Sequence, residues 1–576
     1  MNNLEISWIF LEIADLLEIK GDNPFKIRSY RQAAQLLATL DEDIGVYWNE
    51  KRLTELPGIG PALAAKIHEL LDTGHLTYLK ELRQEVPAQL RQFLSIPGVG
   101  PRTVHTIYRH LGITTLEELK AAASAQQLRV LPGLGTKSEL AIKHALATMD
   151  VVPERLPLSD AAMVAADLAE ALAQLPEVTN VEVVGEVRRR EEFVCEATLL
   201  LSAQPDKTGD ILATFSSAPY VRQVLTLGST YMTVILGIGL KARLIVVTPS
   251  EFTTQLCYYT GSAGHWHALV ARAKQCNLEL TPASLRGQDG PLPLESEQDL
   301  YYHLGLDFVI PELRTGKGEV LAARHGTLPQ VISPEHMKGD LHLHTNWSDG
   351  RESIFSLARA AVERGYEYIA ITDHSQRLKI ARGLDAQRLA AQADEIAAAR
   401  AEFPNLTILA GIEADILADG QLDLPNQVLA KLDLVIASVH SGFRQDEKTM
   451  TSRIVTALRN PFVHILAHPS GRLIGRRPTY QVNLDTVLEE ARLLGKVLEI
   501  NASPERLDLS AEWAAKAKHL GLKLAISTDA HDAQRLADME YGVSVARRAG
   551  LEACDVINTW PTAHLKDFLQ SIRGVV

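Results

Sequence analysis

The segment GDLHLHTNWSDG, residues Gly339–Gly350, decides how the last third of the chain folds. His342 and His344 are two residues apart, and side chains on a strand alternate between its faces, so both imidazoles point the same way. Leu341 and Leu343, which alternate with the histidines, face the opposite side, where they can pack. Asp349 follows five residues after the second histidine. Paired imidazoles at the end of a strand, with an acid close by, are typical of a metal site.

Six further apolar runs follow this segment, and each is short and nearly continuous, as buried parallel strands are. Amphipathic helices separate the runs. A repeated strand–helix pattern predicts a barrel whose functional residues lie at the carboxyl ends of the strands. The predicted strands are Tyr368–Thr372, Thr407–Ala414, Leu434–Val439, Val463–Ala467, Val497–Ile500 and Leu524–Thr528.

Side chains that bind metals follow these strands one after another. A single histidine at a strand end is most often a hydrogen-bonded surface residue, and an Asp-His pair can simply cap a helix. Recurrence at successive strand ends instead brings the side chains to one rim. A mixed imidazole and carboxylate set suits Mn²⁺, Zn²⁺ or Fe²⁺ better than Ca²⁺ or Mg²⁺. The candidate ligands, which are also the candidate catalytic residues, are His342, His344, Asp349, His374, Glu413, His440, His468, Asp529 and His531.

The motifs H-x-H, D-H-S, G-I-E-x-D, S-V-H, A-H-P and T-D-A-H resemble those of PHP (polymerase and histidinol phosphatase) domains. The resemblance implies a distorted (β/α)7 barrel, up to three metal ions, and hydrolysis of a phosphoester by water that the ions activate. It implies one ion on His342, His344, Glu413 and Asp529, a second on Glu413, His440 and His468, and a third on Asp349, His374 and His531.

Residues beside the ligands have predicted supporting roles. Arg472, in the run HPSGR, is a candidate phosphate clamp because guanidinium binds phosphate through two parallel hydrogen bonds. A solvated basic loop of Arg472, Arg476 and Arg477 is an equal alternative. Candidates to fix the imidazole tautomers are Asp373, Asp415, Asp433 and Asn501.

The front of the chain carries one motif three times, as LPGIG, IPGVG and LPGLG, each opening a helix. Two glycines permit a tight turn, and the helix that follows aims free N–H groups at an anion. The pattern matches the helix-hairpin-helix motif, which holds DNA backbone phosphates without recognising bases. A helical hairpin used only for packing explains one copy better than three. The candidate DNA-binding glycines are Gly58, Gly60, Gly98, Gly100, Gly133 and Gly135.

The middle of the chain resembles a polymerase core. The run GEVRRREE, from Gly185 to Glu192, is similar to the palm motif Gly-Ser-x-Arg-Arg-Gly-x-Glu of family X DNA polymerases. The runs LGS at Leu227, YTGS at Tyr259 and PELR at Pro311 also match that family. With the PHP motifs, nearly the whole chain resembles the bacterial PolX branch of family X.

The element patterns and this resemblance predict a multidomain α/β protein. Helical helix-hairpin-helix domains precede an α+β nucleotidyltransferase-like palm and thumb, and the PHP barrel follows. The predicted domains are lyase-like residues 1–80, fingers-like residues 81–150 with two repeats, palm-like residues 151–250, thumb-like residues 251–320, a linker over 321–338 and the PHP domain over 339–576.

The predicted palm departs from the family where its metals bind. The three family aspartates align with Glu196, Thr198 and Arg243. Phosphoryl transfer by two metals needs several carboxylates to hold ions about 4 Å apart, and a guanidinium places positive charge where an ion must lie. Glu186 stands at the position of the phosphate-binding serine. We therefore expect no Mg²⁺ in the palm and little or no polymerisation.

Lys66, one turn into the first motif helix, aligns with the lyase nucleophile of family X. A lysine beside a phosphate site can attack a sugar aldehyde as a Schiff-base nucleophile. A solvated helix lysine is the alternative.

These observations predict a DNA-binding, metal-dependent phosphoesterase, a 3′–5′ exonuclease or 3′-end processing enzyme of DNA repair, including base excision repair. Its expected partners are gapped, nicked or single-stranded 3′ ends. Three alternatives stay open: a gap-filling polymerase with PHP proofreading, a DNA-binding scaffold, and a small-molecule phosphatase. The three repeats disfavour the last of these.

Composition limits the setting. The net charge of −13 argues against wholesale nucleic-acid binding, although separate domains can carry opposite charge. Four cysteines without a C-x-x-C pair fit a reducing compartment. The first residues form an amphipathic pattern with acids rather than a signal peptide, and no apolar run is long enough for a bilayer. We expect a cytoplasmic monomer without membrane contact.

Overall fold

The computed structural model describes residues 3–38, 40, 44–86, 90, 93, 96, 99–149 and 155–573. The chain divides into two compact units. One comprises Met1–Arg155 and Gly209–Arg243, and the other comprises Leu156–Thr208 and Leu244–Val576.

The front of the first unit is helical, and apolar side chains from its helices form one core. Gly60 and Gly100 each precede a helix that begins with proline. Gly58 and Gly133 have φ of +84° and +79°, a conformation that favours glycine. Gly98 lies outside the described residues. The helices are α1 (Asn3–Lys20), α2 (Pro24–Ala38), α3 (Ile44–Asn49), α4 (Pro61–Thr73), α5 (Thr77–Glu85), α6 (Pro101–Leu111), α7 (Leu116–Ser124) and α8 (Thr136–Met149).

The first and third repeats thus form turns that lead into α4 and α8, and the described end of the second repeat, residues 99–100, leads into α6. A methyl group added at Gly60, Gly100 or Gly135 would meet no atom of the described residues within 4 Å. Packing inside the chain therefore does not demand glycine at these helix starts. The open space in front of the free N–H groups suits a backbone phosphate.

The palm-like region has antiparallel strands. Within the second unit, β2 pairs with β4, and within the first unit, β5 pairs with β6. The elements are β1 (Leu156–Pro157), α9 (Leu158–Ala173), β2 (Val178–Val184), α10 (Gly185–Arg188), β3 (Phe193–Val194), β4 (Glu196–Ala203), α11 (Thr208–Ser217), β5 (Val221–Leu227), β6 (Tyr231–Leu236) and β7 (Lys241–Val247).

The thumb-like region forms its own apolar core. Helix α15 continues into the predicted linker, and Ile332 farther along is buried in the barrel core, so this segment is packed. The elements are α12 (Phe252–Thr260), α13 (Ala263–Gln275), β8 (Glu279–Leu280), β9 (Leu285–Gly287), β10 (Gly290–Pro291), α14 (Glu297–His303) and α15 (Glu319–His325).

The C-terminal part of the second unit is a nearly closed parallel barrel with the strand order of the chain. Each strand pairs with the next one in the sequence, and His344 N donates to Ala530 O at 2.9 Å beside the last strand. The carboxyl ends of all strands therefore meet at one rim. The strands are β11 (Gly339–Leu343), β12 (Tyr368–Ile371), β13 (Thr407–Asp415), β14 (Leu434–Ser438), β15 (Ile465–Leu466), β16 (Val497–Asn501) and β17 (Leu524–Ser527).

Helices cover the outside of the barrel and bury apolar faces against it. They are α16 (Ile354–Glu363), α17 (Ala386–Glu402), α18 (Asn426–Leu429), α19 (Glu447–Leu458), α20 (Leu484–Leu493), α21 (Ala511–His519), α22 (Met539–Arg548) and α23 (Thr562–Ile572). In the part of the chain that the structure describes, no helix has the length and apolarity that a membrane span requires.

Candidate metal centre

The rim of the barrel brings histidines and acids from every strand end together. His342 and His344 extend from the carboxyl end of β11, both fully buried, with ring centres 5.1 Å apart. This is the side-by-side arrangement that their spacing predicts. Burial of two imidazoles is costly unless they meet charged or polar partners.

Glu413, on β13, is the centre of the cluster and is almost fully buried. Its carboxylate is surrounded by imidazole nitrogens from five different histidines. The nitrogen–oxygen distances are 2.6 Å for His374, 3.0 Å for His468, 3.4 Å for His440, 3.6 Å for His342 and 3.7 Å for His344.

Two further acids extend the cluster. Asp529, after β17, lies 3.1 Å from His344 Nε2 and 3.7 Å from His342 Nε2. Asp349 lies 3.4 Å from His531 and 3.6 Å from His374, and its side chain is 37% exposed. The ligand cluster therefore has one side buried in the barrel and one side open to solvent. A substrate can enter from the open side.

Three groups of these side chains place one ligand atom each within 4.8 Å of the others. The predicted assignment gave His344 and His374 one ion each, but each of these residues belongs to two of the groups. His344 lies with Asp349 as well as with Asp529, and His374 lies with Glu413 as well as with Asp349. The groups are His342, His344 and Asp529; His374, Glu413 and His440; and His344, Asp349, His374 and His531.

The donor atoms fit metal ions. Within the described residues, several buried imidazole nitrogens and one Glu413 oxygen make no hydrogen bond of acceptable angle, although some of these atoms lie close to one another. Unpaired buried polar atoms are costly, and a divalent cation would satisfy them together. The atoms are His342 Nε2, His344 Nδ1 and Nε2, His374 Nδ1, His468 Nδ1 and Glu413 Oε2.

Ionisation in the cluster is strongly coupled. Burial opposes charge on Glu413, but the neighbouring imidazoles, His440 foremost, hold the pKa of its carboxyl well below the ordinary value. Burial also opposes protonation of His440, yet Glu413 and Asp415 raise its pKa to about 9. Burial and the nearby His374 lower the pKa of His344 to about 3. The cluster thus holds ionised carboxylates and at least one neutral imidazole at neutral pH, which are the forms that bind metals.

The palm-like positions have a different geometry. In the second unit, Thr198 donates to Glu196 at 3.3 Å, and Glu186 accepts the backbone N–H of Cys195 at 2.6 Å. In the first unit, the Arg243 guanidinium lies 5.0 Å from the ring centre of Tyr231. These positions lie outside the groups that could hold an ion among the described residues.

Comparison with known proteins covers the whole chain. It is 38% identical over 576 residues to "DNA polymerase/3'-5' exonuclease PolX" of Bacillus subtilis (strain 168), covering 99% of this chain and 100% of the relative. The chain belongs to the PolX family of bacterial family X DNA polymerases.

Other comparisons match separate parts of this PolX chain. Four family descriptions match: a helix-hairpin-helix domain at residues 1–76, a SAM-like helix-hairpin-helix tandem at 90–148, a DNA polymerase beta thumb at 255–315 and a PHP domain at 340–502. A "probable phosphatase" of Thermoanaerobacter sp. (strain X514) is 32% identical over 245 residues, 40% of this chain and 94% of the relative. "DNA polymerase lambda" of Rattus norvegicus is 26% identical over 347 residues, 54% of this chain and 56% of the relative.

Residues around the ligands differ partly from expectation. Asp415 lies 3.6 Å from His440 Nδ1, and its role in fixing that tautomer stays a prediction. Among the described contacts, Asn501 donates to the candidate ligand Asp529 at 3.2 Å and not to an imidazole. The Asp373 carboxylate instead accepts from Thr345, Ser348 and Gln392 and holds the loop that leads to Asp349.

Asp433 does not support the ligands. Its side chain is 45% exposed and pairs with Arg400 at 2.8 Å. Because Asp433 precedes β14, it lies at the amino end of that strand, opposite the rim.

Glu499 is a supporting residue that sequence reasoning missed. It is fully buried on β16, its Oε1 lies 2.7 Å from His342 Nδ1, and its Oε2 accepts the backbone N–H of His468 at 2.8 Å. An acid inside the apolar run VLEI was the available signal, because a charge is not buried in a strand without a partner.

Arg472 is not free to clamp phosphate as predicted. Its guanidinium pairs with Glu192 at 2.9 Å and donates to the carbonyl oxygens of Arg506 and Leu507. Arg506 instead reaches the cluster, with Nε 3.3 Å from Asp529. Periodicity could not single out Arg506, because it lies in an irregular loop.

Lys66 lies on α4, and its Nζ is 4.9 Å from the ring centre of Tyr78. Lys26 Nζ lies 5.1 Å from the same ring. Two cations therefore lie close to one aromatic ring in the helical unit. The role of Lys66 as a lyase nucleophile stays a prediction.

Proposed function

We propose that this chain is a metal-dependent phosphoesterase that removes nucleotides from DNA 3′ ends. The observation that carries the proposal is Glu413 ringed by five imidazoles, with unpaired buried donor atoms, at the open rim of a PHP barrel. The relative named as a polymerase and 3′-5′ exonuclease, and the relatives named as probable phosphatases, support phosphoester chemistry.

The nine predicted ligands would hold up to three ions, with Mn²⁺ or Zn²⁺, and also Fe²⁺, as the cations that the donor set suits. Such ions supply Lewis acidity that activates water and neutralises phosphate charge. Glu499 would orient His342, and Asp415 would orient His440. Arg506 would place a positive charge beside the phosphate, in the role first assigned to Arg472.

DNA is the proposed substrate because three Pro-Gly-x-Gly repeats precede the barrel in the sequence, and the glycine before each helix has open space around it among the described residues. The helix-hairpin-helix and thumb matches support the same partner. Gapped, nicked or single-stranded 3′ ends are the proposed forms, and the protein would act as a monomer in repair.

The palm is proposed not to polymerise. Thr198 is a poor metal ligand, the Glu186 carboxylate is occupied by a backbone N–H, and Arg243 brings positive charge to the third family position. A gap-filling polymerase is the second candidate, favoured by the name of the Bacillus subtilis relative and by the retained acid Glu196.

The deciding experiment uses the full chain with Mn²⁺ on gapped duplexes labelled at the 5′ or the 3′ end. We expect 5′-labelled strands to shorten stepwise, with or without nucleotides, and chelator to stop the reaction. Intact strands with Mn²⁺ or Zn²⁺ would refute the hydrolase. Strands that lengthen when nucleotides are added would establish the second candidate.

A further inference from the structure

We propose that Glu192, an acid of the palm motif, is a positioning residue for the hydrolytic site of the barrel. The inference rests on the proposed function. Glu192 Oε2 lies 2.9 Å from Arg472 Nη1, and the two side chains are only 13% and 15% exposed. Glu192 Oε1 also accepts the backbone N–H of Ala511 at 3.4 Å. The palm acid therefore makes both of these contacts with residues of the barrel.

Arg472 connects Glu192 to the loop that follows β16. Its Nε donates to Arg506 O at 2.8 Å, and its Nη2 donates to Leu507 O. Leu507 has φ of +46°, a conformation that residues other than glycine rarely adopt. Such a backbone persists when surrounding contacts hold it, and Arg472 supplies two of them.

The same loop reaches the ligands in two ways. The Arg506 side chain lies 3.3 Å from the candidate ligand Asp529. The Asp508 carboxylate accepts the N–H groups of Ser470 and Gly471, just after the candidate ligand His468. Movement of the loop would therefore shift a charged group beside one ligand and the backbone beside another.

Within this chain of contacts, substitution of Glu192 is expected to have a large effect for an electrostatic reason. Removing one partner of a mostly buried ion pair leaves an uncompensated charge, which is strongly destabilising for the local arrangement. Without Glu192, the Arg472 guanidinium would turn toward water or another acid and release the carbonyl oxygens it holds. Residues that bond metal ligands directly typically change activity by about 10- to 100-fold, and Glu192, which acts through Arg472 and the loop, should lie near the lower end of that range.

The test uses full-length protein with Mn²⁺ and bis(p-nitrophenyl) phosphate, a diester too small to need the DNA-binding domains. We expect Glu192→Ala to lower kcat by about 10-fold or more, with KM changed less than about twofold. The matched control is Glu540→Ala, which removes the exposed 3.6 Å pair between Glu540 and Arg190, also between palm and barrel. This control should keep wild-type kcat.

A double variant separates positioning from general structural damage. Arg472→Ala should lose about as much kcat as Glu192→Ala, and the two together should lose no more than Arg472→Ala alone, because they break one chain of contacts. Losses that multiply would overturn the inference.

Other outcomes remain distinguishable. If the wild type hydrolyses neither the diester nor the labelled DNA, the proposed function fails; if it hydrolyses only DNA, the same variants are compared on DNA. If the wild type is active and Glu192→Ala matches Glu540→Ala, only the positioning role fails. If Glu192→Ala does not fold by circular dichroism, Glu192→Gln keeps an acceptor without the charge and should lose about threefold in kcat; an unchanged kcat in that variant would overturn the role.

Discussion

The barrel rim and the palm-like strands both gather acids, but the surroundings of those acids differ. At the rim, Glu413 is buried among five imidazoles whose nitrogens partly lack hydrogen bonds within the described chain. In the palm, Glu196 accepts a threonine hydroxyl and Glu186 accepts a backbone N–H. The rim acids lie among other candidate ligands, several of whose atoms have no hydrogen-bond partner in the described chain. The palm acids instead lie beside a hydroxyl and a backbone N–H, without a cluster of other ligands around them among the described residues.

The largest expected effect comes from the centre of the rim. Glu413→Gln should lower Mn²⁺-dependent DNA hydrolysis by about 10³-fold or more. A neutral amide binds divalent cations much more weakly than the carboxylate at the centre of the five imidazoles. Bound metal per chain, measured by mass spectrometry, should fall as well. Asp433→Asn, an acid at the opposite end of the barrel, is the control and should keep full activity. Comparable activity in both variants would contradict the placement of Glu413 in a metal site, and with it the contrast between rim and palm.

The next largest effect is expected at acid pH, where the barrel should lose stability and the palm-like residues should not. Burial, together with the charge of Arg573, lowers the pKa of His464 to about 3. The unfolded chain takes up this proton below about pH 6.5 and the folded barrel does not, so the contribution of His464 to barrel stability is complete above pH 6.5 and falls toward pH 3. At pH 5 the loss is about 2 kcal/mol.

Hydrogen exchange of the metal-free protein measures this loss in peptides from β14, corrected for intrinsic exchange rates. His464→Asn should flatten the pH dependence. Peptides from residues 156–208, which contain no histidine, serve as the internal control. Equal pH dependence in β14 and in these peptides would contradict the assignment.

A smaller effect should come from the helical unit. Gly58→Ala forces a side chain into φ of +84°, at a cost of about 1 kcal/mol, and distorts the turn before α4. DNA affinity should fall about 3- to 10-fold with a shallower salt dependence, whereas hydrolysis of bis(p-nitrophenyl) phosphate should not change. Gly74→Ala has a similar backbone cost, at φ of +73°, but lies after α4. If Gly74→Ala weakens DNA binding equally, the hairpin is not the phosphate site.

The smallest effect is expected in the palm. Glu196→Ala should change DNA hydrolysis by less than about twofold, because two-metal chemistry there lacks its other carboxylates. Primer extension with Mg²⁺ or Mn²⁺ should be undetectable in the wild type and in the variant. Nucleotide-dependent extension by the wild type that disappears in Glu196→Ala would make the palm a working polymerase.

Much of the barrel could be predicted because its patterns are local. The apolar runs and the alternation at His342 and His344 depend only on neighbouring residues. Because consecutive strands pair in the order of the chain, the residues that follow the strands can be predicted to meet at one rim. This prediction needs no distances. The same rule places Asp433, which precedes its strand, at the other end.

The partnerships of single side chains could not be predicted in this way. Nothing near Arg472 in the sequence indicates that it pairs with Glu192, 280 positions earlier. The contact between Glu499 and His342 likewise joins strands that are distant in the chain.

Short-range periodicity in the amino-acid sequence is therefore enough to predict the class of the fold, the repeated turns and the residue types at the barrel rim. Which arginine reaches the cluster, which acid supports His342 and how the ligands group became visible in three dimensions. Those outcomes depend on how closely the closed barrel brings its strand ends and loops together, and on which charges burial forces into pairs.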